Sequence, residues 1–378
     1  MSSTPQTPPA RLIVRQGASV SNDAETAVQE IAAQIDQADP SLNLVFFTDA
    51  YDQDQLCRAF TEHLRGPVIG CTSAGQLAAQ GFQVGGISAL SLASPDLQAV
   101  PYLIHPLNDV AQQVEQIAAD VQQRLKQTTA QAFGLLLVDA LAEKEEILTA
   151  SLYRALGDVP IIGGSAGDML HFKNTFVYHQ GRLLQDGAVF TLCITSLPFT
   201  VFKHQHFQPT EKRLVITGAE PEHRLVREIN GEAAVVAYAR MIGVAVDELT
   251  SAIYSRYPLM LRIGTEFYVR SIASIEPDGS LKFYCAIDKG LVLTIGEGQS
   301  AIDALQGTFT AIREEIGEPV VILGCDCILR RLEMEKRGLA GEIGQLMAAN
   351  HVFGFSTYGE QFNSLHVNQT FTGVALGG

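Results

Sequence analysis

"LNLVFFTDA", residues 42–50, is an apolar run that ends in Asp-Ala, and "AFGLLLVDA", residues 132–140, repeats that pattern further along the chain. Asp49 and Asp139 lie 90 residues apart. Downstream of each run comes a glycine-rich turn, "PVIGCTSAGQL" at 67–77 and "PIIGGSAGDML" at 160–170, so that Ser73-Ala74-Gly75 answers Ser165-Ala166-Gly167 at an offset of 92. Between each run and its turn lies a helix-like segment; in the second copy Ile147, Leu148, Leu152 and Leu156 recur near the helical period. Two landmarks at nearly one offset specify a duplicated strand–helix–strand unit.

Working outward, Asn22 followed by Glu25 predicts an N-cap with Glu at N3, opening a helix that buries Val28, Ile31 and Ile35. From Asp109, the residues Val110, Val114, Ile117, Val121 and Leu125 form one apolar stripe. After each turn the pattern becomes strands, "GISALSLAS" in the first copy and hairpin-like runs broken at Gly181 and Gly187 in the second. The second half continues with strands around a turn at Pro277-Asp278-Gly279, a helix bearing Ile302, Leu305, Phe309, Ile312 and Ile316, and the strand "PVVILGCDC". A helix to about Ala349 and a closing strand pair follow. The expected fold is α/β: mixed sheets with flanking helices, an N-terminal half built from the duplicated unit, and a smaller α/β C-terminal domain. The divisions are a disordered Pro-rich tail over 1–17, one domain over 18–230 and a second over 231–378.

The chain has 378 residues, 47% of them hydrophobic and 18% charged, which specifies a globular protein. A net charge of −15 with no basic run gives little attraction for phosphate backbones or anionic membranes, so neither nucleic acid nor a membrane is an expected partner. The N-terminus lacks the basic start and apolar core of a signal peptide, and no apolar run approaches the ~18 residues that span a bilayer. A cytoplasmic location follows as the expectation. The six cysteines are isolated in apolar or helical settings and read as reduced thiols.

Several stretches bear on chemistry. Gly163 to Gly167 matches G-x-S-x-G, which would make Ser165 a hydrolase nucleophile, but an elbow needs a helix directly after it and "DMLHFKNTFVYHQG" reads as strands. A tight glycine turn with Ser bonded to backbone is the favoured reading. Cys325 and Cys327 have the wrong spacing for zinc, "DAYDQD" lacks the Gly and terminal Glu of a calcium loop, and no Gly-Lys dipeptide exists for a P-loop. "VFKHQHFQPT", residues 201–210, reads as a strand that places Phe202, His204, His206 and Gln208 on one face. Paired imidazoles near Phe202 and Phe207 suit an iron porphyrin pocket, with one nitrogen to ligate and apolar walls to hold the macrocycle.

Taken in order, "PVIGCTSAG", "PIIGGSAGD", "LVITGAEPEHRLVREINGEAAVVAYAR" at 214–240, "GFSTYGEQF" and "HVNQTFTGVAL" resemble the FIST domain family of bacterial signal-input proteins, over most of the chain after about residue 18. The resemblance implies a non-enzymatic sensory module that binds a small molecule and regulates, in trans, a histidine kinase or a cyclic-di-GMP enzyme (diguanylate cyclase or phosphodiesterase). "HQHFQPTEKRLVITGAEPEHRLVREINGEAA" is similar to a stand-alone branch that binds haem and senses nitric oxide. That implies haem b as cofactor, His206 as iron ligand with His204 second, and Phe202 and Phe207 as pocket walls; a homodimer is one assembly it allows. A second reading is a non-haem sensor of an amino acid or similar metabolite, held by Ser73, Ser165, Tyr358 and Glu360. A serine hydrolase using Ser165 is the third.

Overall fold

In the computed structural model, which describes residues 12–378, the unit read twice in the sequence occurs three times. The first copy has parallel strands Leu42–Phe47 and Val68–Thr72 joined through the helix Gln53–His63, with Ile87–Ala93 antiparallel beside the first strand. The second repeats this with Gln131–Val138, Glu145–Leu156, Ile161–Ser165 and Ala188–Thr195. The third consists of Val321–Cys327, the helices Ile328–Lys336 and Ala340–Ala349, Val352–Thr357 and Phe371–Leu376. Each second strand carries a glycine at the same place, Gly70, Gly163 and Gly354, where a Cβ would fall within 2.0 Å of a carbonyl oxygen on the neighbouring strand.

Every unit also has an outer strand antiparallel to its last one: Ile13–Ser19, Leu97–Ile104 and Phe199–His204. The stretch 1–11, read as tail, lies outside the described residues, whereas 13–17 of that reading belong to the first outer strand. A helix follows each outer strand, directly for Ala24–Ile35 and Val110–Leu125, and after a long insertion for Ala301–Ile316. The first of these is capped by Asp23, whose carboxylate accepts from Thr26 N at 2.8 Å, one residue later than the sequence suggests. Asp23 is the residue whose backbone is extended, and that geometry aims its side chain at the free amides.

The hairpin after each glycine turn does not stay with its own sheet. Gln76–Ala78 with Gly81–Gln83 extends the third sheet, Val177–His179 with Arg182–Leu184 extends the first, and Glu360–Phe362 with Leu365–Val367 extends the second. This exchange closes a ring of three sheets. Their inner faces meet in one core containing Leu44, Phe46, Leu135, Leu137, Leu323, Phe353 and Phe355, with Phe46 stacked on Phe355 at 4.3 Å. The helices cover the outer faces through Val28, Ile31 and Phe60 in the first unit, Val114, Leu148 and Leu152 in the second, and Leu305, Phe309 and Met347 in the third. Each such side chain contributes about 1.5–3 kcal/mol by leaving water, so an apolar face on both sides of every sheet fixes the layering.

Between Phe199–His204 and Ala301–Ile316 the chain leaves the ring to build a separate sheet from Phe207–Glu220 to Val292–Gly298, with the helices Ala234–Ile242 and Ser251–Arg256. It has its own core of Leu214, Val226, Tyr238, Leu259, Phe283 and Leu293. The fold is thus α/β with mixed sheets, flanking helices and a smaller second domain, which sits as an insertion inside the third unit. No helix among the described residues is long and apolar enough to cross a membrane. The six cysteines are unpaired, and all but Cys57 are buried.

Candidate functional site

The three glycine turns meet at the centre of the ring. Thr72 N donates to Phe176 O, Ser165 N to Gly359 O and Ser356 N to Gly75 O, at 3.0, 2.8 and 2.7 Å. Ala74 N, Tyr358 N and Gly167 N complete the cycle on Ser356 O, Ser165 O and Thr72 O. Ser73, Ser165 and Glu360 are fully buried, and their side chains are already engaged. Ser73 Oγ lies 2.9 Å from the Gln76 amide, and Ser165 Oγ accepts from Gln361 Nε2 at 2.8 Å and donates to Glu145 Oε1 at 3.3 Å. Burial pushes the Glu360 carboxyl up to about 8, against the hydrogen bonds that tie it to Thr357 and Thr370.

Tyr358 is more open. Its hydroxyl donates to Asp168 Oδ1 at 2.5 Å and accepts from Leu170 N at 2.7 Å, and its ring stacks on Phe172 at 4.6 Å. The Asp168 carboxylate also accepts from the amides of Phe172, Lys173 and Asn174 at 2.6–2.9 Å and so folds the loop that follows Ser165. That loop leads into the strand Val177–His179 rather than a helix, so Ser165 is not on a nucleophile elbow. The four residues Ser73, Ser165, Tyr358 and Glu360 thus converge on the ring centre, where three of them are closed off from solvent.

The His-x-His stretch departs from a continuous strand. Phe199–His204 ends at His204, and Thr200, Phe202 and His204 share its buried face. Gln205 and His206 form the crossing to the inserted sheet, so strand alternation does not carry His206 onto the face of His204, and Gln208 is exposed. Phe202 packs edge-on against Phe371 at 5.1 Å in the helix-covered core. His204 Nδ1 meets Thr308 Oγ1 at 2.8 Å while Nε2 is buried without a partner; burial, then the charge of Arg330, holds this imidazole well below its ordinary pKa and therefore neutral.

His206 lies where both crossings run side by side, with Gln299 N donating to His206 O at 2.7 Å. Its ring packs against Phe207 at 4.2 Å, its Nε2 is 3.1 Å from Glu333 Oε1, and its Nδ1 is buried without a partner. Beside it, between the helices Ser251–Arg256 and Ile328–Lys336, opens a cavity of about 590 Å³. Phe207, Tyr284, Leu329 and Leu332 give it apolar walls; Arg256, Lys336 and Arg337 face Glu297 and Glu333 around them. His206 does not line this cavity, but its partner Glu333 does.

One group of charges escaped the sequence reading. Arg224, from the inserted sheet, reaches Glu145 at 3.2 Å and Glu146 at 2.9 Å on the second unit's helix, and Glu146 Oε1 also meets His366 Nδ1 at 3.2 Å and Ala286 N at 2.6 Å. Burial opposes ionisation of Glu146, yet His366 and Arg224 hold it well below the carboxylate range; the two glutamates raise His366 against its own burial. Glu145, Glu146 and His366 place three donor atoms within 4.8 Å of one another. The Arg224 guanidinium already supplies the positive charge that a metal ion would bring, so the cluster reads as an ionic clamp between insert and ring. In the sequence Glu145 and Glu146 stand in the acidic run "EKEE", and nothing local pairs them with Arg224 or His366.

A protein of Methanocaldococcus jannaschii, described only as uncharacterized, is 22% identical over 214 residues, which cover 53% of this chain and 40% of the relative's length. The FIST N domain matches residues 41–232 and the FIST C domain residues 234–363. Matched by both domains over most of its length, the chain belongs to the FIST family of sensory domains.

Proposed function

We propose that this chain is a sensor that holds haem b in the cavity between ring and insert, with His206 as the iron ligand, and that it responds to nitric oxide. The observation that carries the reading is His206 itself: a buried imidazole with one ring nitrogen unpartnered and the other on a carboxylate that lines the cavity. Apolar Leu329, Leu332, Phe207 and Tyr284 suit the macrocycle, Arg256, Lys336 and Arg337 suit its two carboxylates, and His206, the neighbour of Phe207 behind this lining, would have to turn its ring into the cavity to ligate. His204 fits less well, since Thr308 holds one nitrogen and the charge of Arg330 acts on the ring. Held by one imidazole, ferrous haem would supply an open position for a diatomic gas such as nitric oxide.

The chain's own part is positional. His206 sits on the crossing into the inserted sheet, so any shift of its ring is applied where insert and ring join. Glu333, on the facing helix, feels the same shift through its contact with Nε2. We read the output as a change in how the insert lies on the ring, sensed by a partner histidine kinase, diguanylate cyclase or phosphodiesterase.

The test is a haem titration of the purified protein followed by its ferrous visible spectrum with and without nitric oxide, alongside His206→Ala and His204→Ala. A Soret band that shifts with gas and is lost in His206→Ala alone is expected. A second reading, an iron-free anionic metabolite in the same cavity, is favoured by the three cations, Arg256, Lys336 and Arg337, that line it beside Glu297 and Glu333; saturable metabolite binding untouched by His206→Ala would select it.

A further inference from the structure

We propose that Arg330 anchors a buried binding site for a small carboxylate, beneath the helix Ile328–Lys336 and separate from the open cavity. Strand register lays out its floor: His204 pairs with Phe371, Phe371 with Asp326 and Asp326 with Ser356, so these four side chains form one row across the third sheet. Arg330 lies over that row, its guanidinium carbon 5.9 Å from the ring centre of Phe371. One turn along the helix, Met334 packs in the same core as Phe371. Arg330 is fully buried and does not line the cavity, which Leu329, Leu332 and Lys336 of the same helix face.

Arg330 uses one arm of its guanidinium. Nη1 donates to Asp326 Oδ1 at 3.3 Å, while Nε and Nη2, whose N–H bonds run side by side, have no partner among the described residues. That pair is the fork a carboxylate meets with both oxygens. The row beneath it is unpartnered as well, at Asp326 Oδ2, Ser356 Oγ and, at its far end, His204 Nε2. The matching hydroxyl of the second unit, Ser165, is engaged by Gln361 and Glu145. In the third unit Leu77 holds the register position of Gln361 and offers Ser356 no polar atom. Charge agrees with this geometry. Burial pushes the Asp326 carboxyl up, toward its protonated form, against the pull of Arg330 and Arg331. Arg331 has Glu335 at 2.9 Å, whereas Arg330 meets no acid but Asp326 among the described residues. A guanidinium held this deep is stabilised by an anion on its fork far more than by water alone. Asp326, Arg330 and Ser356 are all fully buried, so the occupant is enclosed and of few atoms.

The experiment titrates the full chain with isotopically labelled acetate and reads the bound fraction by NMR. Two variants run beside it: Arg330→Lys, which keeps the charge and loses the fork, and Arg256→Ala, which takes a cation from the open cavity. Saturable binding is expected, weaker by about tenfold or more in Arg330→Lys, the order for losing a bidentate charge-assisted pair, and unchanged in Arg256→Ala. No saturable binding, or equal binding by Arg330→Lys, overturns the proposal. Binding lost in Arg256→Ala instead places the acetate in the cavity and overturns it too. Should Arg330→Lys fail to fold, a crystal structure of the parent grown with acetate decides: acetate oxygens on Nε and Nη2 support the site, and ordered water alone overturns it. Haem uptake is read in a separate titration, so the failure of either proposal leaves the other standing.

Discussion

Gly163 has no room for a side chain. A Cβ there would lie 2.0 Å from Leu136 O and 2.8 Å from its carbonyl carbon, backbone atoms that cannot move aside as a side-chain end can. Gly163→Ala should therefore cost about 3 kcal/mol or more, at the upper end of overpacking, read as a lower urea midpoint. Glu360 gives a pH prediction. Its folded-state carboxyl, raised to about 8, keeps a proton that the unfolded chain gives up near the ordinary 4.5. The folded state then binds more protons through that window, and stability from this residue is full below about pH 4.5 and declines by about 1.4 kcal/mol per pH unit up to about pH 8. Comparing denaturant midpoints of the parent and Glu360→Gln across this range should show the decline only in the parent.

The long helices and the strands after each turn were legible because their faces differ: Val110, Val114, Ile117 and Val121 are buried in Val110–Leu125 as their spacing indicates. The third copy of the unit was not. Its outer strand and its helix Ala301–Ile316 are separated by the whole insert, and its turn reads "FGFST" where the others read "IGCTS" and "IGGSA". What the three share is the glycine at 70, 163 and 354, a signal of close strand approach that a search for Ser-Ala-Gly passes over. His206 was misplaced for a related reason: alternation assumes one continuous strand, and the chain breaks register between His204 and Phe207 to change sheets. The loop after Ser165 supplies the prediction at this scale. Asp168→Ala removes the acceptor for three backbone amides and for Tyr358 OH. Faster amide exchange and proteolysis at 168–174, with the strands on either side unchanged, is the expected outcome.

Across the whole molecule, insert and ring touch at two chain crossings, around the cavity, at the ionic clamp of Arg224, and where Arg270 and Ser271 of the insert donate to His366 O and Gln369 Oε1. Glu145, Glu146 and His366 belong to two different units of the ring, so the clamp fastens the insert to both. Arg224→Ala leaves the buried Glu145 and the partly exposed Glu146 without their shared cation and should cost about 3 kcal/mol, the lower end for a broken buried pair, with amide protection lost first in the insert strands Leu225–Ile229 and Leu281–Phe283. The topology of this contact was invisible in sequence, since Arg224 and His366 meet the glutamates only through the swapped hairpin and the insertion. The imidazole–iron bond at this junction is the proposal. Its most direct measurement is chemical rescue: the ferrous visible spectrum of haem-loaded His206→Gly, with and without free imidazole. The expected result is loss of the parent Soret band and its return, at the parent position, when imidazole is added. A His206→Gly spectrum identical to the parent's, or a lost band that imidazole cannot restore in a protein that still folds, would contradict ligation by His206.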